Sequence, residues 1–277
     1  MIALCAGGGT SGRGTLEIAY DDVGAGVPVV LLHGFPHDRS LWAPQRNALV
    51  ERARVVTPDL RGFGQTPLGR DEGDPPITID RYADDAACLL DALHVERAVV
   101  GGISMGGYVA LAFWRRHRAR VRALVLANTR AAADDDAARA RRRELIALAR
   151  AEGSAAVAER VLVGMVGKST RERSPALVEQ VRRMLAAAPV EGSVGALEAM
   201  MARPDSTPTL ATIDVPTLVV AGGEDVIAPE REMRAMHAAI PRSRFEVIAG
   251  AGHLSNLERP AAFNHVLSEF LASLDYA

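Results

Sequence analysis

The pentapeptide GISMG at residues 102–106 is the stretch that most constrains the fold. It follows the short apolar run 98–101 and precedes a helical pattern over 106–117. A serine between glycines in a strand–turn–helix context is typical of a nucleophile carried on a sharp, strained turn, because the glycines let strand and helix approach closely. The pattern therefore predicts that Ser104 is a nucleophile at the carboxyl edge of a strand.

Short apolar runs alternate with longer helical stretches on both sides of this pentapeptide. Such alternation predicts an α/β fold with a mostly parallel, doubly wound sheet covered by helices on both faces. The predicted strands are 27–32, 54–57, 98–101, 123–126, 217–221 and 245–248. The predicted helices are 79–93, 106–117, 229–240 and 260–274.

The alternation stops over residues 131–205, which are rich in Ala, Arg, Glu, Leu and Met and contain no aromatic residue. Helical segments are expected there, separated by glycine and proline. We interpret 131–205 as a helical cap over one end of the sheet, although an excursion without a role remains open. Residues 15–130 and 206–277 then form the core, and 1–14 a flexible leader.

A serine hydroxyl is a poor nucleophile and needs a general base. Of the seven histidines, His253 lies in the glycine-rich loop after the last predicted strand, where parallel sheets carry reactive groups. The loop after 217–221 offers two acids to orient it. We favour Asp225 and keep Glu224 as the alternative. The loop after 123–126, another possible position for the acid, carries Asn128 and Thr129 instead.

A tetrahedral intermediate also requires hydrogen-bond donors for its negatively charged oxygen. The predicted strand 27–32 ends in HGFP at 33–36. We predict that the backbone N–H groups of Phe35 and Met105 form this oxyanion hole, since Pro36 has no N–H. His33 is expected to be a structural hydrogen-bonding residue and not a second base.

These motifs, together with DLRGFG at 59–64, GGEDVIAP at 222–229 and GAGHLSNLERP at 250–260, resemble the α/β-hydrolase superfamily. The resemblance is to the branch of small capped esterases, enol-lactonases and cofactor-free haloperoxidases or perhydrolases. It covers 15–130 and 206–277 but not the cap. The chain order Ser104, Asp225, His253 is the one that such a fold uses for its triad, and the resemblance implies an architectural role for the DLRGFG turn.

Acyl transfer from a carboxylic ester or lactone to water is the function that these residues predict. Dehalogenases and epoxide hydrolases of this fold attack with Asp, whereas position 104 is Ser. The metal-ligand spacings HxHxDH and HExxH do not occur, so we expect neither a metal nor a cofactor. Perhydrolysis, carbon–carbon bond hydrolysis and a ligand receptor of the same fold remain open.

The substrate pocket is expected to involve residues near the serine and on the cap. Candidate lining residues are Gly34, Trp42, Tyr108, Met165 and Leu254. Methionines and aliphatic residues in the cap favour an apolar pocket, although they could equally serve to attach the cap to the core. Because the cap has no aromatic residue that could stack on a flat substrate, we expect short or medium aliphatic acyl groups.

Composition limits the remaining partners. A formal charge of −2 argues against nucleic acid, since no basic excess is present to neutralise phosphates. The sequence shows neither a signal-peptide pattern nor an apolar run of the ~20 residues that cross a bilayer. We expect a cytoplasmic protein without membrane attachment that acts on a small molecule. The oligomeric state stays open.

Overall fold

The computed structural model describes residues 1–6, 15–69 and 76–274. Eight strands of these residues form one sheet in the order β1-β2-β4-β3-β5-β6-β7-β8. They are β1 Ile2–Ala6, β2 Thr15–Val23, β3 Val27–Leu32, β4 Ala53–Pro58, β5 Ala98–Ile103, β6 Val121–Ala127, β7 Thr217–Gly222 and β8 Ser243–Ile248.

The sheet is parallel from β4 to β8, and only β1 and β2 run antiparallel to their neighbours. The carboxyl ends of β5, β6, β7 and β8 therefore lie side by side at one edge. Loops at that edge carry ligands and reactive groups in open α/β sheets. The predicted mostly parallel α/β sheet is confirmed.

Helices cover both faces of the sheet, and strand side chains alternate between two cores. In β3, Val30 and Leu32 belong to one core, whereas Val29 and Leu31 belong to the other. The helices are α1 Ala43–Leu49, α2 Ile79–Ala92, α3 Met105–His117, α4 Asp136–Met165, α5 Lys168–Arg173, α6 Pro175–Ala186, α7 Val190–Ala202, α8 Thr207–Leu210, α9 Glu230–Ala239, α10 Ser255–Glu258 and α11 Pro260–Ser273. None of the described helices is long and apolar enough to cross a membrane.

Residues 131–205, which we call the cap, contain the helices α4 to α7 and no strand. The long helix α4 bends at Gly153, whose φ of 80° falls in the left-handed region that favours glycine. Its two arms pack against α6 and α7. The cap, inserted between β6 and β7, is thus a bent helix that packs against α6 and α7, while the short helix α5 packs against α6.

The prediction of a flexible leader over residues 1–14 is wrong for its first part. Ile2–Ala6 pairs antiparallel with β2. Ala3 and Cys5 are buried on one side of this edge strand, whereas Ile2 and Leu4 are exposed on the other. The apolar residues at 1–6 are too few to indicate a strand from the sequence alone. They form one because β2 provides the hydrogen-bond partners for their backbone. Residues 7–14 of the predicted leader lie outside the described residues.

Two glycines bring the cap against the core. The turn at Gly62, within DLRGFG, meets the first turn of α7 so closely that a Cβ on Gly192 would lie 1.8 Å from the Gly62 carbonyl oxygen. We expect Gly192→Ala to destabilise the protein by about 1–3 kcal/mol, the usual cost of overpacking, because both contacting groups are backbone. Urea unfolding measures the change in the free energy of unfolding.

Gly195, one turn later in α7, is the matched control. A Cβ at this position would meet only the side-chain carbons of Ile77 and Leu68, each at 3.7 Å. Gly195→Ala should therefore be neutral or should stabilise by roughly 0.5–1 kcal/mol through the better helix propensity of alanine. Equal stability of the two variants would contradict the close backbone contact.

Candidate active site

Ser104 lies on a sharp turn between β5 and α3. Its φ and ψ are 54° and −117°, a strained backbone conformation for a residue with a Cβ. Its N–H donates to the carbonyl of Ala127 at 3.0 Å, and the Thr129 hydroxyl donates to its carbonyl oxygen at 2.7 Å. These bonds to the end of β6 and the following loop hold the strained turn in place.

The glycines that flank the serine are required by space. A Cβ on Gly102 would lie 2.0 Å from the carbonyl oxygen of Gly106, and a Cβ on Gly106 would lie 2.1 Å from that of Leu32. Strand, turn and helix therefore approach as closely as the sequence pattern predicts. Helix α3 begins directly after Ser104, so its first N–H groups, which have no acceptor within the helix, lie close to the serine.

His253 and Asp225 form a buried pair at the same edge of the sheet. Asp225 follows β7 and His253 follows β8, and the distance from His253 Nδ1 to Asp225 Oδ2 is 2.8 Å. Their side chains are 2% and 0% exposed, so water does not compete for this bond. Glu224, the alternative acid, instead accepts hydrogen bonds from the N–H and the hydroxyl of Ser169.

The hydrogen bonds of Asp225 fix which histidine nitrogen carries the proton. Burial alone would raise the pKa of Asp225, but the His253 ring and bonds from Asn128 and Ala228 outweigh burial and hold that pKa below its ordinary value. An ionised carboxylate only accepts, so Nδ1 of His253 is the donor. In the neutral ring Nε2 is then free to accept a proton, and it has no hydrogen-bond partner among the described residues, Ser104 included.

Asn128 supports this pair, a role that sequence reasoning missed. Its side-chain N–H donates to Asp225 Oδ2 at 2.9 Å and to the Gly252 carbonyl at 3.1 Å, and its oxygen accepts from the Ser255 hydroxyl. Asn128 is fully buried and has a φ of 43°. The sequence held one signal for this role, which is the position of Asn128 in the loop after β6, a possible position for the acid.

Phe35 and Met105, the predicted oxyanion-hole residues, both lie near Ser104. Phe35 follows β3, and the neighbouring Gly34 is so close that its Cβ would lie 3.2 Å from Ser104 Cβ. Met105 opens α3, where N–H groups have no intrahelical acceptor. Neither N–H donates to a backbone acceptor in the part of the chain that the structure describes.

The two other histidines near the site are held neutral. His33 is completely buried, its Nε2 accepts from the N–H of Leu60 at 2.9 Å, and its Nδ1 lies 2.9 Å from the Gly34 carbonyl. Burial lowers the pKa of His33, and burial together with His33 and His253 lowers the pKa of His37 to about 3. His33 thus has the contacts of a structural residue in the oxyanion loop.

A buried glutamate joins the cap to the histidine loop, which the sequence did not indicate. Glu258 accepts from the N–H groups of Gly252 and Leu254, at 2.9 and 3.2 Å, on either side of His253. Its other oxygen accepts from the N–H of Gly167 at 2.8 Å and the hydroxyl of Thr170 at 2.6 Å in the cap. Four donors satisfy this carboxylate, so residues 167–170 of the cap are tied to the loop that carries His253.

A cavity of about 430 Å³ lies between Ser104 and the cap. Of the predicted pocket residues, Tyr108 and Met165 line it together with Phe35. Gly34 lies behind Ser104 and is not among the lining residues.

The pocket prediction is wrong for Trp42 and Leu254. Trp42 is 0% exposed and packs against Phe263, with the ring centroids 6.0 Å apart. Leu254 is 1% exposed and belongs to the same core. Both follow the carboxyl ends of strands in the sequence, but their side chains point into the core below the site and not into the cavity.

Known proteins share both this fold and the length of the chain. The model of the family described as alpha/beta hydrolase fold matches residues 27–260. The 3-oxoadipate enol-lactonase 1 of Acinetobacter baylyi is 30% identical over 94% of each chain. An esterase from Thermogutta terrifontis, solved with malate bound, is 40% identical over 99% of each chain, with a TM-score of 0.92.

A third relative is the enol-lactonase from Burkholderia xenovorans LB400, 32% identical over 93% of this chain and 97% of its own, with a TM-score of 0.83. Because the family model covers most of the sequence and relatives at this identity span nearly all of it, the chain belongs to the alpha/beta hydrolase fold family. The resemblance drawn from its motifs is thereby confirmed, and the relatives support a hydrolase.

Proposed function

We propose that this protein is a serine hydrolase that cleaves carboxylic esters or lactones through an acyl-enzyme. The observation that carries the proposal is the buried His253–Asp225 pair at the sheet edge where the strained turn presents Ser104. Nε2 of His253 is unprotonated in the neutral ring and unpartnered among the described residues, which suits a general base. Relatives named esterase and enol-lactonase support the same reaction.

In the first half of the reaction, Ser104 Oγ attacks the carbonyl carbon of the ester while His253 Nε2 takes the hydroxyl proton. Asp225 stabilises the resulting imidazolium through Nδ1. The carbonyl oxygen becomes an oxyanion that accepts from the N–H groups of Phe35 and Met105. The carbon–oxygen bond to the alcohol then breaks, and the alcohol leaves with the proton from His253.

Water completes the reaction by the same route in reverse. His253 removes a proton from water, whose oxygen attacks the acyl carbon, and the proton passes to Ser104 Oγ as the acid leaves. A linear ester gives an acid and an alcohol, whereas a lactone gives one molecule that carries both groups. Neither half of the reaction requires an oxidant or a redox cofactor.

A series of p-nitrophenyl esters from acetate to decanoate tests the proposal. We expect repeated turnover with an optimum among the short or medium acyl chains, because the cavity of about 430 Å³ is small among ligand pockets. Intact-mass analysis after rapid acid quench should show the chain with one added acyl group. A folded protein that turns over neither these esters nor simple lactones would refute the proposal.

A further inference from the structure

The cavity beside Ser104 has the apolar residues that the sequence suggested, among them Met165 and Met200, but its lining is also strongly charged. Four arginines line it, and Asp134 is the one carboxylate among its lining residues. Three of the four arginines come from the cap helix α4, and the fourth precedes the cap. The arginines are Arg130, Arg141, Arg142 and Arg160.

The single carboxylate does not neutralise its surroundings, because two arginines share it. Asp134 is bonded to Arg142 Nε and, at 2.7 Å, to Arg203 Nη1. Its side chain is 1% exposed, and that of Arg203 is 3% exposed. Burial alone would raise the pKa of Asp134, but these two arginines hold it below its ordinary value, so the group of three carries one net positive charge.

Arg141 adds a second positive charge to the same lining. It is exposed, and none of the described carboxylates pairs with it. The remaining two arginines pair with carboxylates that do not line the cavity. Arg130 lies 3.2 Å from Glu232, and Arg160 lies 3.7 Å from Glu144, where both side chains are more than half exposed and the pair is weak.

Arginine is common in this chain, so its presence alone indicates no ligand. The local charge balance is what distinguishes the cavity, because the whole chain has a net charge of −2. Buried arginine elsewhere in the core is neutralised, as in the pair of Arg61 with Asp85 at 2.7 Å. An excess of positive charge around a partly enclosed space raises the local concentration of anions.

We propose that the substrate carries a carboxylate group in addition to its ester or lactone bond, and that Arg141 and Arg142 bind this carboxylate. The guanidinium group suits this task, since its planar fork matches the two carboxylate oxygens. Arg141 can offer this whole fork, whereas Nε and Nη2 of Arg142 already donate to Asp134, so Arg142 would bind through its remaining N–H groups. The inference rests on the proposed function. It specifies an anionic ester or lactone where the sequence favoured an aliphatic one.

Two matched substrate pairs test the inference and distinguish which end of the ester carries the charge. Monomethyl pimelate and methyl heptanoate have equal acyl lengths but differ by a terminal carboxylate. The acetate ester of 6-hydroxyhexanoate and hexyl acetate differ in the same way on the alcohol side. Acid release is followed in a pH-stat, so every substrate has the same readout.

We expect kcat/KM of the wild-type protein to favour the anionic member of at least one pair by tenfold or more, which corresponds to about 1.4 kcal/mol. The preference should decrease at high ionic strength, because salt screens exposed charges. Arg141→Gln and Arg142→Gln should each reduce the preference at least fivefold, chiefly through a higher KM for the anionic ester. Arg141→Lys should retain part of it.

Arg143→Gln is the control variant. It removes the same charge from the next position of α4, but Arg143, although exposed like Arg141, does not line the cavity, so this variant should keep the preference. Turnover of neutral esters without an anionic preference, or a preference that both Arg141→Gln and Arg142→Gln retain, would overturn the inference and leave the proposed function intact. Absence of all ester turnover would instead refute the proposed function.

Discussion

Replacement of Ser104 by alanine is expected to lower ester turnover by at least 10⁴-fold and to abolish labelling by a fluorophosphonate. Loss of the nucleophile of another serine hydrolase costs about 10⁶-fold in kcat, and the remaining catalysis comes from substrate binding and the oxyanion hole. Turnover of p-nitrophenyl butyrate and in-gel detection of the label measure the two effects. Alanine keeps the Cβ, so the backbone strain at φ 54° is the same in both proteins.

Ser273→Ala provides the control for this prediction. Ser273 is exposed at the end of α11, where its hydroxyl donates to the Phe270 carbonyl at 2.6 Å. This variant should keep wild-type turnover and labelling. Labelling that persists in Ser104→Ala while the melting temperature is unchanged would show that a different residue is the nucleophile.

Most of the core could be predicted from the sequence because burial leaves a local pattern. Strands covered on both faces, such as β3 and β7, are continuous apolar runs, and their neighbouring helices have apolar residues at helical spacing. The turn at Ser104 could be predicted for a similar reason. Its glycines are required by contacts within a few residues, or by the adjacent strand end at Leu32.

Features that depend on distant parts of the chain could not be predicted in the same way. The strand β1 is defined by its partner β2, and the bonds from Glu258 to Gly167 and Thr170 join segments that are far apart in sequence. The charge of the cavity is also non-local. Arginines on a helix indicate an exposed face, and only the packing of α4 over Ser104 shows that several of them face the cavity.

Asp225 has hydrogen bonds that only a carboxylate can satisfy. Oδ1 accepts from the backbone N–H groups of Ile227 and Ala228, at 2.8 and 2.9 Å, and Oδ2 accepts from Asn128 and from His253 Nδ1. An asparagine side chain can be placed in two orientations at this position. In each of them its NH₂ group would face groups that are themselves hydrogen-bond donors. The least costly adjustment is for His253 to move its proton to Nε2, so that Nδ1 becomes the acceptor.

That tautomer cannot accept the proton of Ser104, because Nε2 already carries one. We therefore expect Asp225→Asn to lower kcat by about 10⁴-fold, equivalent to about 5.5 kcal/mol in the activation barrier, as the same change does in another serine hydrolase. Steady-state kinetics on p-nitrophenyl butyrate measure this loss. KM should change little, since Asp225 does not line the cavity.

Glu224→Gln separates the two neighbouring acids of this loop. Glu224 bonds to Ser169 in the cap and not to His253. Glu224→Gln should therefore reduce kcat far less than Asp225→Asn. If Glu224→Gln were the more damaging of the two, the acid that orients His253 would have been assigned incorrectly. Because both variants remove one negative charge from adjacent positions, a difference between them cannot come from the net charge and must come from the different hydrogen bonds of the two side chains.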